Sequence, residues 1–366
     1  MTNLSLTMAT SDYDHIRDLI NGSVKPEGID LTCLTFDVEE IFFRFANKYE
    51  WEISELSLAK FCSLRSVDEP PVVGIPVMVS RMFRHSAFYI RTDGKIKTAK
   101  DLKGCRIGVP EWTQTATVYA RGWLQNEGGV GLTEVEWVQA GVNEPGRKEM
   151  GKAIIPENIK ISQVNDRSLS ELLIDGEIEA IISARPPQLF VSGDNGIGRL
   201  MPNYKELERE YFDKTKIYPI MHIIAIRRDA YEKNRWIAGN LMTAFEIAKQ
   251  NSLKRLADFN VSRIPIPWVQ DNFASIGEQL FHGSDYWPYG IDGNRVTLET
   301  FLQYCHEQGV TQKKLQLEHD KRAKHVQNMH VRWGRKFGFS KPRTLALESK
   351  FMEYDKDGSG FIDINE

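Results

Sequence analysis

The sequence predicts an α/β protein of two lobes with a cleft between them, extended at its C-terminal side by helical segments. Three observations predict it. Apolar runs of strand length alternate with amphipathic stretches of helix length from residue 3 to residue 253. The alternation runs twice, before about residue 95 and again from about 98 to 190. A later strand and helix, within residues 218–253, are then available to return to the first lobe.

Each element follows from local pattern. NLSLTMAT (3–10) alternates like a strand and ends at SDYDHIRDLI, where Ser11 or Asp12 is placed to cap a helix. VKPEG (24–28) is a turn, IDLTCLTF (29–36) a strand, and VEEIFFRFAN (38–47) has helical spacing. WEISELSLAKFCSLR (51–65) reads as a short strand passing into a helix, and VVGIPVMVS and HSAFYIRTD supply further strand. TAKDLKGCRIGVP changes register through helix, turn and strand; PEWTQTATVYARGWLQNEGGV (110–130) is a helix with a Thr-rich start, a ready anion site. VEWVQAG (135–141) is a strand, and SLSELLIDGEIEAIISARPP runs helix, Asp-Gly turn, strand. After a polar stretch, YPIMHIIAIRRDAY (218–231) is a strand and RWIAGNLMTAFEIAKQNSL (235–253) a long amphipathic helix. The expected division is lobe 1 over 1–95, lobe 2 over 96–205, return to lobe 1 with further helices over 206–315, a basic helical linker over 316–344, and a final segment over 345–366.

Composition narrows the function classes. With 366 residues, 41% hydrophobic and 27% charged, the chain has ordinary globular makeup, and its net charge of −3 gives no reason to expect nucleic acid. Its four scattered cysteines form no CxxC or Cys/His cluster, which argues against zinc and for a reducing compartment. The N-terminus lacks the pattern of a signal peptide, and no apolar run approaches the ~20 residues of a membrane span. A soluble cytoplasmic protein without membrane partners is the expectation. GxGxxG, GxxxxGK[ST], HxH and HExxH are absent, so neither nucleotide binding nor a metal-dependent hydrolase-like site has support.

Ligands of open α/β sheets sit at the carboxyl ends of the strands. Here those ends are SDYD, SELS, RMFRHS, PEWTQT and SARPP, and polar groups gather at all five. The most unusual is SRMFRHSAFYI (80–90), an apolar run carrying Arg81, Arg84 and His85. In extended backbone Arg81 and His85 point one way, Arg84 and Ser86 the other.

The order of pieces resembles type II periplasmic-binding-protein folds, with DLKGCRIGVP like the entry to the second lobe and LLIDGEIEAIISA like a Gly-x-x-Asp-Ala stretch carrying Glu179 where Asp is usual. More closely, the chain resembles the 4,5-dihydroxyphthalate decarboxylase family. The stretches that carry the resemblance include SDYDHIRDLINGSVKPEGIDL, EEIFFRFANKYEWEISELSLAKF, IPVMVSRMFRHSAFYIR, GVPEWTQTATVYARGWL, NEPGR, IYPIMH and DYWPYGIDGNR, across roughly residues 3–315. The resemblance implies decarboxylation of a hydroxylated aromatic acid, without an organic cofactor because the ring itself accepts the electrons.

That chemistry requires carboxylate anchors and an acid to protonate the ring carbon. Arg81 suits a bidentate anchor and His85 a general acid/base; the plainer alternative makes Arg84 and His85 structural pairs at the lobe junction. Glu55 holds a phenolic hydroxyl or orients a histidine, or merely caps. His222, inside an apolar strand, reaches the cleft or is a core histidine. Asp12, Ser57, Glu111, Thr113 and Thr115 are expected around the substrate, with Arg84, and Arg185 clamps it from the second lobe or is a surface arginine. His15 reads as a partly solvated residue of the first helix turn. A rival reading keeps the fold and drops the turnover, leaving a cytoplasmic binding protein for a small aromatic or carboxylate ligand. The sequence leaves a homo-oligomer open.

The last twelve residues, DKDGSGFIDINE, fit an EF-hand calcium loop. Asp355, Asp357, Ser359, Phe361, Asp363 and Glu366 take its ligand positions and Gly360 the sharp turn, with LALESKFMEY as entering helix. No exiting helix follows, so weak calcium binding is expected, and a calcium-sensing module joined to an enzyme is the alternative role.

Overall fold

The computed structural model describes residues 2–147, 149, 151, 153–193 and 196–317. Four strands open the chain: β1 (Leu4–Thr10), β2 (Ile29–Thr35), β3 (Ile53–Ser57) and β4 (Val72–Arg81). Six follow in a second sheet: β5 (Phe88–Arg91), β6 (Arg106–Val109), β7 (Glu136–Gln139), β8 (Lys160–Gln163), β9 (Ala180–Ile182) and β10 (Ile197–Arg199). The chain then returns through β11 (Ile220–Arg227), which inserts between β3 and β4. The sheet orders are β2-β1-β3-β11-β4 and β10-β5-β9-β6-β7-β8 among the described residues. This is the expected two-lobed α/β layout, with two crossings between lobes.

Two details depart from a purely parallel reading. β11 runs antiparallel to both its neighbours, and β5 runs antiparallel to β9 and β10. Both strands arrive by crossing from the other lobe, so no helical crossover within one sheet fixes their direction. The first crossing lies at residues 82–87, earlier than the expected boundary near 95, because Phe88–Arg91 pairs in the second sheet. The polar stretch before β11 also holds β10 and a helix, Tyr204–Thr215.

β4 is a near-continuous buried run, as a central strand covered on both faces requires. Gly74 lets it approach the helix Leu58–Arg65 closely: a Cβ there would sit 2.6 Å from the Phe61 ring. The helix Thr115–Asn126 packs against Arg295–Glu307 through Gly122, whose Cβ would lie 2.3 Å from Tyr304. One apolar cluster runs through both lobes, taking Phe45, Phe61 and Met78 from the first and Phe88, Trp112 and Trp137 from the second. The four cysteines are free thiols. None of the described helices is long and apolar enough to cross a membrane.

Candidate active site

The antiparallel return of β11 brings its first residues to the carboxyl ends of β3 and β4. In register, His222 lies opposite Ser57 and Ser80, and Ile224 opposite Glu55. Glu55, fully buried, becomes the centre of a network. Ser11 N–H donates to its Oε2 (2.7 Å), Tyr13 Oη to its Oε1 (2.6 Å) and Thr10 Oγ1 to Oε2 (3.3 Å). His222 Nδ1 stands 2.6 Å from Oε1.

Burial alone works against the Glu55 carboxylate, but the hydrogen bond and charge of His222, then Tyr13 and Ser11 N–H, outweigh it and hold its pKa below the ordinary value. The ionised carboxylate only accepts, so Nδ1 carries the proton in this pair. Nε2 is left as the ring atom able to exchange a proton, on a side chain 17% exposed. The Phe42 ring meets the imidazole edge-on at 4.9 Å. Burial and then Glu55 push the Tyr13 hydroxyl far above its usual pKa, so it stays a donor. His15 lies between Tyr13 and Trp287, its ring tilted to both with centroids 5.4 Å away, and burial lowers its pKa to about 4. Ser11 does not cap the first helical turn: the residue at the cap position is Tyr13, which makes no side-chain cap, and the Ser11 N–H donates to Glu55. Asp12 is exposed beside this network.

A second polar group joins the lobes next to it. Ser57 Oγ and Thr115 Oγ1 are 2.7 Å apart, and Ala59 N–H donates to Thr115 Oγ1 (2.9 Å). The expected helix from 110 begins only at Thr115, and residues 111–114 form the turn before it. Glu111 is buried between Lys60 (3.3 Å) and Arg147, whose Nε donates to it at 3.0 Å. Arg147 also donates to Glu39 (3.2 Å) on the helix Val38–Lys48, and Arg185, 64% exposed, reaches the other Glu39 oxygen at 3.5 Å. Ser57, Glu111 and Thr115 therefore tie lobe to lobe. Thr113 donates to Glu149.

The crossing segment is not a strand extension. β4 ends at Arg81 and His85–Ala87 is a 3-10 turn, so the alternation that put Arg81 and His85 on one face does not apply. Arg81 is buried and donates to the carbonyls of Tyr218 (3.2 Å) and Pro288 (2.9 Å) and to Asn294 Oδ1. It clamps the DYWPYGIDGNR stretch onto β4, and these oxygens take up Nη1 and Nη2 while Nε is buried. Trp287 Nε1–H adds a bond to Met78 O (2.6 Å) and Lys249 one to Asp285 (2.9 Å). His85 is enclosed by Trp123 and Tyr211, at 5.0 and 5.2 Å, with Nδ1 3.8 Å from Glu208 Oε1; burial lowers its pKa to about 4. Trp123 lies eight residues along its helix from Thr115, about 12 Å at the helical rise. The structure thus brings Glu55 and His222 together and leaves His85 outside their network. Arg84 points at Met221 Sδ (2.9 Å).

Tyr13, Lys60, Arg147 and Glu149 escaped the sequence reading. Tyr13 sits inside SDYD, one of the strand ends singled out, and Arg147 inside NEPGR; neither motif says which partner it meets. An open hollow of about 540 Å³ on the second lobe, lined by Arg167, Ser168 and Glu171 among others, shares no residue with this constellation. Among the described residues no group of three or more His, Cys, Asp or Glu is arranged to hold a metal ion. The calcium-loop residues Asp355, Asp357, Ser359, Phe361, Asp363 and Glu366 lie outside the described residues.

No protein-family model matches the chain. It is 35% identical over 317 residues to a 4,5-dihydroxyphthalate decarboxylase of Comamonas testosteroni, covering 86% of this chain and 96% of that one. It is 38% identical over 194 residues to a 4,5-dihydroxyphthalate decarboxylase of Pseudomonas putida, covering 53% and 75%. Among solved structures, it is similar to the alkanesulfonate-binding protein SsuA from Xanthomonas axonopodis pv. citri bound to MOPS, at 11% identity and a TM-score of 0.46, covering 86% of this chain and 96% of that one.

Proposed function

We infer, since the chain belongs to the 4,5-dihydroxyphthalate decarboxylase family, that it is a carboxy-lyase releasing CO2 from a hydroxylated aromatic acid of the 4,5-dihydroxyphthalate kind. The observation that best supports a mechanism is the Glu55–His222 pair with Tyr13 at the carboxyl edge of the first sheet. Protonated His222 delivers the Nε2 proton to the ring carbon bearing the carboxylate. A hydroxyl para to that carbon pushes electron density toward it. The carbon–carbon bond then breaks, its electron pair returns to the ring, and CO2 leaves. One proton is consumed per turnover, and the exposed edge of His222 reloads from water. Glu55 stabilises the imidazolium and fixes its orientation, as the carboxylate does in other carboxylate–histidine pairs. Arg185, largely exposed and paired among the described residues with Glu39, supplies the guanidinium for a substrate carboxylate from the second lobe.

CO2 release from 4,5-dihydroxyphthalate and a panel of hydroxylated benzoates, measured for the wild type and His222→Gln, tests this reading. Turnover by the wild type and a loss of about 100-fold or more in the variant are expected. Ligand binding with no CO2 from any panel member overturns the enzyme and leaves a binding protein. Cytoplasmic location belongs to the same reading, as does calcium at residues 355–366, which calorimetry with calcium checks.

A further inference from the structure

The turn before the helix Thr115–Asn126 already holds a carboxylate, and it is the chain's own. Glu149 Oε2 accepts from Trp112 N–H (2.6 Å) and Gln139 Nε2 (3.2 Å). Its Oε1 accepts from Thr113 N–H (3.2 Å), from Thr113 Oγ1 and from Gly151 N–H (3.4 Å). Three backbone N–H groups, two of them from the turn itself, a hydroxyl and a side-chain amide thus converge at the positive end of a twelve-residue helix.

A second observation concerns the charge behind this cradle. Arg121 is fully buried, its Cζ lies 3.8 Å over the Trp112 ring, and its Nη2 donates to Trp112 O (2.6 Å). Its Nη1 is buried without a partner. Among the described residues no carboxylate lies within ion-pair distance of it, and the foremost charge favouring the guanidinium is Glu149. A buried cation is costly without a compensating charge, so Arg121 favours an anion in this cradle, whichever group supplies it. The cradle is also close to the proposed acid: Thr115 touches Ser57, which lies opposite His222 in register.

We propose that the Trp112–Thr113–Gln139 cradle is a carboxylate subsite for an aromatic dicarboxylate, and that Glu149 stands in the substrate carboxylate's place and gives way to it. This rests on the decarboxylase reading for the identity of the ligand, but its geometry does not. The carboxylate bound there is the one retained, since the donors that grip it stabilise its negative charge and oppose its departure as CO2. The carboxylate beside it on the ring is then the one lost.

Phthalate, which lacks the hydroxyls that push electrons to the ring, serves as probe in calorimetry with the full chain. An internal competitor acts at an effective concentration in the millimolar range or above, so Glu149→Ala should bind phthalate tighter than wild type, on the order of tenfold. Adding Gln139→Leu should remove most of that gain, and benzoate should show a smaller gain than phthalate. If Glu149→Ala does not fold, Glu149→Gln, of equal size but without the charge, is expected to move phthalate affinity in the same direction. Unchanged or weaker phthalate binding by a folded Glu149 variant overturns the proposal and makes Glu149 a structural cap. A chain that releases no CO2 yet shows the phthalate gain overturns the decarboxylase reading and keeps the subsite; CO2 release with no gain does the reverse.

Discussion

Replacing Glu55 by Gln isolates what the buried carboxylate does for His222. The side chain keeps its size and loses its charge. Four groups face it, and each donates in the wild type: Ser11 N–H, Thr10 Oγ1, Tyr13 Oη and His222 Nδ1. A Gln amide directs its two N–H groups at one pair of these donors. If it turns toward His222, the imidazole must offer Nδ1 as acceptor and move its proton to Nε2, and the imidazolium loses its counter-ion. Removing one partner of a buried ion pair costs about 3–5 kcal/mol, which at about 1.4 kcal/mol per tenfold is a factor of roughly 10²–10⁴ in rate if the imidazolium is the proton donor. Glu55 is 0% exposed and His222 only 17%, so solvent screening takes little from that figure. The assay is kcat for CO2 release alongside urea unfolding. Because the folded pKa of Glu55 lies below its ordinary 4.5, its stabilising contribution is complete above that pH and is lost as pH falls through the folded value. The stability gap between wild type and variant should therefore stay level across neutral pH and close in acid. A folded Glu55→Gln enzyme with kcat within about threefold of wild type would refute the reasoning.

His85→Phe should keep turnover within about twofold, far less than the 10²–10⁴ lost with a general acid, because a phenyl ring suits the Trp123–Tyr211 enclosure. Its folded pKa of about 4 lies below the ordinary 6.5, so the wild type binds more protons unfolded. Wild-type stability should consequently fall relative to the variant as pH drops from about 6.5 toward 4, by up to about 1.4 kcal/mol per pH unit in urea melts; parallel curves would contradict this. Arg81→Met strands the Tyr218 carbonyl and Asn294 Oδ1, while the Pro288 carbonyl keeps its bond from Asn294 Nδ2. Each buried orphan costs about 1–3 kcal/mol, partly offset by removing a buried charge, so a net loss of about 2–4 kcal/mol is expected. A loss below about 1 kcal/mol in equilibrium unfolding would show that Arg81 is not a clamp.

The parts of this molecule that local pattern controls were legible, and the parts decided by pairing at a distance were not. Periodicity placed β1, β2, β4 and the long helix Ile237–Leu256 close to their observed limits, and the strand-end rule pointed to the SDYD and SELS segments that hold Tyr13 and Glu55. What it left open was the partner. His222 meets Glu55 because β11 enters antiparallel between β3 and β4, a register set by crossings from the other lobe and invisible in YPIMHIIAI itself. The same distance effect explains His85. The charges of SRMFRHSAFYI suggested a catalytic strand end, but the segment is where the chain leaves one sheet for the other. There a 3-10 turn replaces the strand, and helices from elsewhere supply Trp123 and Tyr211 to bury the imidazole. Its neighbour Arg81 meets backbone carbonyls in place of a carboxylate. Charge in an apolar run thus marked a junction that needed polar fastening, and the buried Glu55 carboxylate met a histidine whose own surroundings in sequence looked like core.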